Sequence, residues 1–203
     1  MIILPGSKNT IADLLFLRDL HLDEALVQAE AAGVIVIGIC GGYQMMGLTI
    51  ADPLGVEGPP RTVEGLGLLP VHTTLEANKT TVRRSFRFGH AAGPLCEGYE
   101  IHMGRTDIGD AAPRPLNYPA AEPPPLPDGY RRSATCWGTY MHGILDNRAV
   151  IEDLLQQSGA KPEGIQWSDY PAFKQQQYDR LAEHIRQNVD LPFIYRSLQR
   201  PHH

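Results

Sequence analysis

The chain has 203 residues, a length that suits one globular domain with a short appendage. Its apolar fraction of 42% and charged fraction of 20% are typical of a soluble globular protein and exclude a disordered chain. The net charge of −5 argues against broad binding to nucleic acids or anionic membranes. The 20 glycines and 17 prolines exceed the roughly 12% of average usage, which predicts many tight turns and one long irregular loop.

The cysteines and the apolar runs bear on the compartment. Cys40, Cys96 and Cys136 are odd in number and have no repeated spacing, so neither a disulfide framework nor a C-x-x-C zinc site is predicted. The longest apolar stretch, residues 34–40, is far short of the ~20 residues that cross a bilayer. No signal peptide is visible at the N-terminus. These features predict a cytoplasmic protein.

The first half of the chain alternates between strand and helix patterns. A short apolar strand at residues 2–4 is followed by a helix that Asn9 or Thr10 can cap. A second helix ends at Gly33, and the β-branched run Val34–Ile39 predicts a central strand of a parallel sheet. A further helical segment follows this strand. The pattern predicts an α/β fold with a mostly parallel central sheet.

The middle of the chain changes character. Strand patterns occupy Thr80–Phe88, Gly98–His102 and, later, Ser133–Tyr140. Between them, seven of the 19 residues from 111 to 129 are proline. Such a segment can be neither helix nor central strand, so we predict a surface loop there.

Two helices are predicted near the C-terminus. Asn147 is the expected N-cap of the first, and Gly159 its stop. The second spans about residues 170–189 and carries its apolar residues on one face. We therefore predict one domain over residues 1–189 and a tail over 190–203.

The stretch from Gly38 to Gly42 places Cys40 between a buried strand and a helix, flanked by glycines. This G-x-nucleophile-x-G layout is that of a nucleophile elbow. A helix N-terminus is expected to lower the thiol pKa, and the Gly41 N–H is expected to point toward an oxyanion. A buried structural cysteine beside a tight turn is the alternative, and the five residues leave both open. Cys96 and Cys136 lack such surroundings and are expected to be structural.

A nucleophilic cysteine needs a base, and two histidines stand at the ends of predicted strands. His142 and His102 are each followed by a glycine within two residues, which favours a Cys–His site. The loop with Gly6 follows the first strand, so it is expected at the same sheet edge. No H-x-x-x-H or H-E-x-x-H spacing occurs, and no metal site is predicted.

Several segments form an ordered set along residues 2–155. They are Leu4–Leu14, Gly38–Gly47, Asp52–Pro53, Gly55–Gly58, Gly65–Leu69, Tyr99–Gly104 and Gly138–Gly143. Together they resemble the glutamine amidotransferase domain of cobyric acid synthases. The Ser-Lys-Asn-Thr stretch and Tyr99–Gly104 are specific to this branch, whereas the cysteine motif alone would indicate only the wider triad amidotransferases.

The resemblance implies a flavodoxin-like, layered class I glutamine amidotransferase fold. It also implies hydrolysis of glutamine at a cysteine, with delivery of ammonia to a synthetase domain or subunit. That partner would use ATP and Mg²⁺ to amidate a corrinoid, adenosylcobyrinic acid a,c-diamide, in cobalamin synthesis. The amidotransferase domain itself would need no cofactor, no nucleic acid and no membrane.

The resemblance also assigns roles to residues. Cys40 matches the nucleophile and His142 the base. Backbone N–H groups are implied for an oxyanion hole, and three side chains for the glutamine pocket. For the oxyanion hole, the implied positions are Gly6 or Ser7 and Gly41. For the glutamine pocket, they are Gln44, Glu100 and His102.

The sequence departs from the family pattern in three respects. Wider relatives carry a carboxylate two residues after the histidine, where this chain has Ile144. The synthetase domain is absent, and so are the first βαβ elements before Leu4, which predicts an open sheet edge. A non-catalytic truncated subunit therefore remains an alternative. Another is a different elbow-cysteine enzyme, such as a peptidase-like hydrolase or a cell-wall amidotransferase subunit.

Overall fold

The computed structural model describes residues 1–89, 92–108, 113–118, 128–160 and 170–198. The strands are β1 (Ile2–Leu4), β2 (Val36–Ile39), β3 (Thr49–Asp52), β4 (Arg61–Glu64), β5 (His72–Phe88), β6 (Leu95–Asp107), β7 (Leu116–Asn117), β8 (Tyr130–Arg131), β9 (Cys136–Thr139) and β10 (Met141–His142). The helices are α1 (Thr10–Asp19), α2 (Leu22–Ala31), α3 (Gly41–Met45), α4 (Arg148–Gln157), α5 (Tyr170–Asn188) and α6 (Leu191–Leu198), with a 3-10 turn at Ile144–Asp146. The chain divides into two compact units, residues 1–163 and 164–203.

A mostly parallel sheet forms the centre of the first unit. Its strand order is β1-β2-β9-β8, with β1, β2 and β9 parallel and β8 antiparallel at one edge. The α/β class and the central strand predicted from the β-branched run are thereby confirmed. Asn9 caps α1 by accepting the N–H of Ala12, and Gly33 follows α2 with a φ of +85°. The proposed loss of leading βαβ elements stays a prediction.

Successive residues of the central strands face opposite sides, as the pleat of a strand requires. Val36 and Cys136 belong to a core that also contains α1 and α3 side chains. Their neighbours Ile37 and Trp137 belong to a second core, which includes residues of β5 and α4. The parallel sheet is therefore covered on both faces, which explains why its strands are apolar throughout.

The first unit also contains a second, largely antiparallel sheet. Its order is β10-β6-β5-β3-β4, and β7 pairs with β5. The strands β5 and β6 form a hairpin of 17 and 13 residues, much longer than the predicted strands at 80–88 and 98–102. The short strand β10 pairs with the first half of β6, so that His142 lies opposite Tyr99. The candidate base, His142, therefore belongs to the second sheet.

The second unit contains the helices α5 and α6 among its described residues. The helix predicted at about residues 170–189 is present as α5. In the predicted tail, the segment without a clear period contains α6. The domain end at residue 189 stays a prediction. Across the described residues, no helix combines the length and apolar character needed to cross a bilayer.

The contact between β1 and α3 predicts a large stability loss when Gly42 gains a side chain. A Cβ at Gly42 would lie 2.0 Å from the carbonyl oxygen of Leu4, so backbone must move. We expect Gly42→Ala to lower the free energy of unfolding by about 3 kcal/mol in urea titrations. Gly33→Ala is the control, because its site is open and only the positive φ costs, about 1–2 kcal/mol. Equal losses in the two variants would contradict this packing.

Candidate active site

Cys40 lies on a strained turn between β2 and α3. Its φ of +54° and ψ of −111° are rarely adopted by residues other than glycine. Hydrogen bonds on both sides hold the turn: Cys40 N–H donates to the Thr139 carbonyl over 2.8 Å, and its own carbonyl accepts from Gln44 N–H over 3.1 Å. A Cβ at Gly38 would lie 2.7 Å from the Tyr43 nitrogen, so glycine is required there. The geometry is that of a nucleophile elbow.

The loop after β1 packs directly against the elbow. A Cβ at Gly41 would lie 2.8 Å from the Ser7 nitrogen, so the two backbones are in contact. The Ser7 hydroxyl is used locally, since it accepts from Asn9 N–H over 3.0 Å and donates to the Asp13 carboxylate. Ser7 therefore has only its backbone N–H to offer a ligand. The resemblance implies the N–H of Gly6 or Ser7, together with that of Gly41, as oxyanion donors, and this stays a prediction.

His142 lies close to the elbow, and Gly6 is next to both His142 and Cys40. A Cβ at Gly6 would be 3.1 Å from His142 Cε1 and 3.6 Å from Cys40 Cβ. The three sequence-predicted residues are therefore brought together. His142 Nε2 is buried and has no hydrogen-bond partner within the described part of the chain. A buried ring nitrogen without a partner, next to a thiol, is suited to accept a proton.

The ring of His142 is held without a carboxylate. Tyr99 stacks on it with ring centres 5.3 Å apart and an interplanar angle of 8°. Burial lowers the pKa of His142 from 6.5, a hydrogen bond with the Ile101 backbone raises it, and the charge of His102 lowers it further, for a net decrease. The lowered pKa favours the neutral form of His142, which can accept a proton. Stacking on Tyr99 and the hydrogen bond with the Ile101 backbone therefore orient the ring, because Ile144 has no carboxylate to do so.

The thiol of Cys40 is also neutral at rest. Burial raises its pKa to about 11, and the charges of Asp128 and Glu57 add to this, whereas the Gly41 N–H lowers it. The expectation of a lowered thiol pKa was wrong in its net direction, because burial outweighs the N–H groups of the five-residue α3. The S–H group lies 3.4 Å from the Ile101 carbonyl, its acceptor. The thiol needs a base to become a nucleophile.

Gln44 belongs to a buried network behind the elbow. Its Oε1 accepts from the Thr10 hydroxyl over 3.0 Å, and its Nε2 donates to Tyr140 Oη over 3.2 Å. Tyr140 Oη in turn lies 2.6 Å from Thr106 Oγ1, and a Cβ at Gly104 would be 2.4 Å from Gln44 Nε2. Both ends of the Gln44 amide are therefore bound to protein. Its predicted contact with substrate glutamine stays a prediction.

Glu100 and His102 form a charged cluster on β6. Glu100 accepts from Arg84 Nε over 3.2 Å, and its other oxygen is 3.6 Å from His102 Nε2. Burial raises the pKa of Glu100, but hydrogen bonds and charges from His102 and Arg84 lower it overall. His102 Nδ1 lies 2.8 Å from the Gly104 carbonyl, and its ring stacks on Tyr140 with centres 3.8 Å apart. Because both nitrogens of His102 are engaged, His142 is the better-placed base.

Several side chains of this region were not predicted from the sequence. Asp128 is 3% exposed, although it lies at the end of the Pro-rich segment predicted as a surface loop. In that segment, residues 111–112 and 119–127 lie outside the described residues, and β7 pairs with β5. The Asp128-Gly129 pair before a strand was the one available cue, and it indicates only a turn. Tyr140 and Arg84 carried no signal of their own.

Comparison with known proteins identifies the family. A profile of the CobB/CobQ-like glutamine amidotransferase domain matches residues 1–150. The cobyric acid synthase of Bacteroides fragilis is 48% identical over 199 residues, which are 98% of this chain and 39% of that protein. Those of Parabacteroides distasonis and Geobacillus kaustophilus are 46% and 39% identical, again over 98% of this chain and 40% of theirs. The chain spans about two fifths of the length of these curated relatives.

A solved structure supports the fold. It is described as a glutamine amidotransferase, and it matches with a TM-score of 0.55 at 17% identity over 78% of both chains. Such low identity establishes the fold alone. With the profile match, the chain belongs to the CobB/CobQ-like glutamine amidotransferase family.

The raised thiol pKa makes a prediction that is independent of activity. In a Cys96→Ala/Cys136→Ala variant, the alkylation rate of Cys40 by iodoacetamide should rise about tenfold per pH unit between pH 7 and 10. The reason is that the thiolate fraction grows until the pH reaches the pKa of about 11. Mass spectrometry of the Cys40 peptide measures the rate. A rate that is constant between pH 7 and 9 would show a thiolate already formed at neutral pH.

Proposed function

We propose that this domain hydrolyses glutamine to glutamate and ammonia, with Cys40 as nucleophile and His142 as general base. The observation that carries the proposal is the proximity of the Cys40 side chain to His142 beside Gly6, where His142 Nε2 has no partner among the described residues. Because Gly6 has no side chain, the His142 ring can lie close to Cys40 at this point. Family membership supports the same chemistry.

The first half-reaction begins with two neutral groups. The thiol proton moves to His142 Nε2 while Cys40 Sγ attacks the side-chain carbonyl carbon of glutamine. The carbonyl oxygen becomes an oxyanion, which accepts hydrogen bonds from the backbone N–H groups of Gly41 and of Gly6 or Ser7. His142 then donates its proton to the amide nitrogen, and the C–N bond breaks. Ammonia departs, and a γ-glutamyl thioester remains on Cys40.

Water completes the cycle. His142 Nε2 accepts a proton from the water as its oxygen attacks the thioester carbonyl. The C–S bond then breaks, the sulfur takes back the proton, and glutamate leaves. The proposed glutamine pocket is completed by Gln44, Glu100 and His102. Glu100 supplies negative charge for the ammonium group of the substrate, and His102 and Gln44 form walls of the pocket. No metal and no cofactor enter these steps.

The relatives suggest where the ammonia goes. They are named cobyric acid synthases and are longer than this chain. We propose that an ATP- and Mg²⁺-dependent synthetase domain or subunit receives the ammonia. Its acceptor would be the corrinoid adenosylcobyrinic acid a,c-diamide, in cobalamin biosynthesis in the cytoplasm.

Substitution of the cysteines tests the nucleophile. Cys40→Ala should reduce glutamate release by about a thousandfold or more, because no other group can form the thioester. Cys96→Ala is the matched control, since Cys96 is also buried but its thiol donates to the Pro94 carbonyl. It should retain activity within a few fold. Glutamate is measured by a coupled dehydrogenase assay, and an active Cys40→Ala variant would refute the assignment.

The pKa of His142 predicts the acid side of the pH profile. The base must be neutral, and burial lowers its pKa from 6.5. Activity should therefore persist below pH 6.5, and kcat/KM should reach half its plateau at a pH below that value. Circular dichroism at each pH controls for unfolding. A midpoint above 6.5 would mean that the free enzyme's base is not the buried His142.

A further inference from the structure

Asp128 is a buried carboxylate that the proposed chemistry does not use. It immediately precedes Gly129 and the edge strand β8, and only 3% of its surface is exposed. Its Oδ1 accepts the backbone N–H of Tyr140 over 2.8 Å. Its Oδ2 accepts the Thr139 hydroxyl over 2.5 Å. Both partners belong to the three residues that directly precede His142.

The contacts of Asp128 continue toward His142 along the backbone. The hydroxyl of Thr139, which donates to Asp128, also accepts the N–H of Met141 over 3.0 Å. Asp128 therefore fixes the turn between β9 and β10 at two points, directly at Tyr140 and through Thr139 at Met141. His142 is the next residue, and its position relative to Cys40 follows from this turn.

The charge of Asp128 is unfavourable for folding. Burial raises its pKa from 3.8 to about 6, against the effect of hydrogen bonds from Thr139 and Tyr140. Because the folded pKa is above the unfolded one, the associated stability is present below pH 3.8 and lost as the pH rises through about 6. Above this pKa the buried carboxylate is ionised and weakens the fold. The two short hydrogen bonds of Asp128 come from the segment before a base, and a longer one, over 3.5 Å, comes from the Tyr118 hydroxyl. A group that is costly to bury and is placed in this way calls for a reason other than stability.

We propose that Asp128 is a positioning residue that sets the β9–β10 turn so that His142 Nε2 faces Cys40. This inference rests on the proposed glutaminase function. The carboxylate acts on the backbone before His142, whereas wider relatives have one two residues after the histidine, where this chain has Ile144. It thus complements the stacking of Tyr99, which fixes the plane of the ring.

Ionisable groups surround Asp128 on every side, and each affects its titration or is affected by it. They are Cys40 and Tyr43 from the elbow, Glu100 and His102 from β6, Tyr118 after β7 and Tyr140 after β9. Glu100 raises and His102 lowers the pKa of Asp128. A pH effect is therefore assigned to Asp128 only by comparison with a variant that lacks its charge.

The test uses the full chain and four variants: Asp128→Asn, Thr139→Val, their double variant, and Tyr118→Phe. Asp128→Asn and Thr139→Val should each lower kcat by about 10–100-fold with KM within about twofold. Because they break the same link, the double variant should lose little more than the more affected single variant. Tyr118→Phe, whose hydroxyl lies 3.5 Å from Asp128 Oδ2, is the control and should keep kcat within about twofold.

Two readouts separate positioning from a merely structural role. The urea midpoint of Asp128→Asn at pH 8 should equal or exceed that of the unsubstituted chain, because a buried charge is removed. The acid limb of kcat/KM should fall with two protons in the unsubstituted chain, from Asp128 and His142, and with one in Asp128→Asn. Unchanged kcat in Asp128→Asn, or a lowered urea midpoint that accounts for the lost activity, would overturn the inference.

A third readout keeps this inference distinct from the proposed function. If the unsubstituted chain releases no glutamate, the proposed function fails, and the His142 imidazole NMR signals then decide about Asp128. These signals are assigned by comparison with His142→Gln. They should shift in Asp128→Asn and stay in place in Tyr118→Phe. Signals that are the same in Asp128→Asn as in the unsubstituted chain would overturn the positioning role.

Discussion

The candidate site depends on one constraint, the close backbone contact between the β1 loop and the turn at Cys40. A residue with a φ of +54° is held only where its surroundings leave no alternative. Here Gly42 donates to the Pro5 carbonyl, Gly41 lies against Ser7, and Gly6 leaves space for the His142 ring. Gly6, Gly41 and Gly42 are thus the positions at which the loop after β1, the turn at Cys40 and the His142 ring meet.

Burial has opposite effects on the two reacting groups and leaves both neutral. It raises the pKa of Cys40 and lowers that of His142, so proton transfer between them at rest is unfavourable. A substrate that brings its amide oxygen to the backbone N–H groups would stabilise the negative charge that forms during attack. The thiol would then become nucleophilic only when substrate is bound. Such a site resembles a serine–histidine pair more than a preformed thiolate–imidazolium pair.

Local signals made the parallel sheet and the elbow predictable from sequence. Val34–Ile39 is β-branched on both faces, and the glycines around Cys40 indicate a turn that admits no side chains. The second sheet was not predicted as a unit, because β10 pairs with β6 and β3 pairs with β5 across intervening segments, and much of the β5–β6 hairpin is exposed. Asp128 was hidden for a different reason. Its Pro-rich surroundings predict a solvated loop, and burial of a carboxylate depends on Thr139 and Tyr140, whose positions no local pattern reveals.

The central claim is that Cys40 becomes covalently acylated by glutamine. Acid quenching of the chain during turnover, followed by mass spectrometry of its peptides, tests this most directly. The account predicts a γ-glutamyl thioester on the Cys40 peptide alone, and its loss when His142 is replaced by a non-basic residue, because the same base activates the thiol. Glutamate release without any acylated Cys40 peptide, or acylation at Cys96 or Cys136 instead, would contradict it.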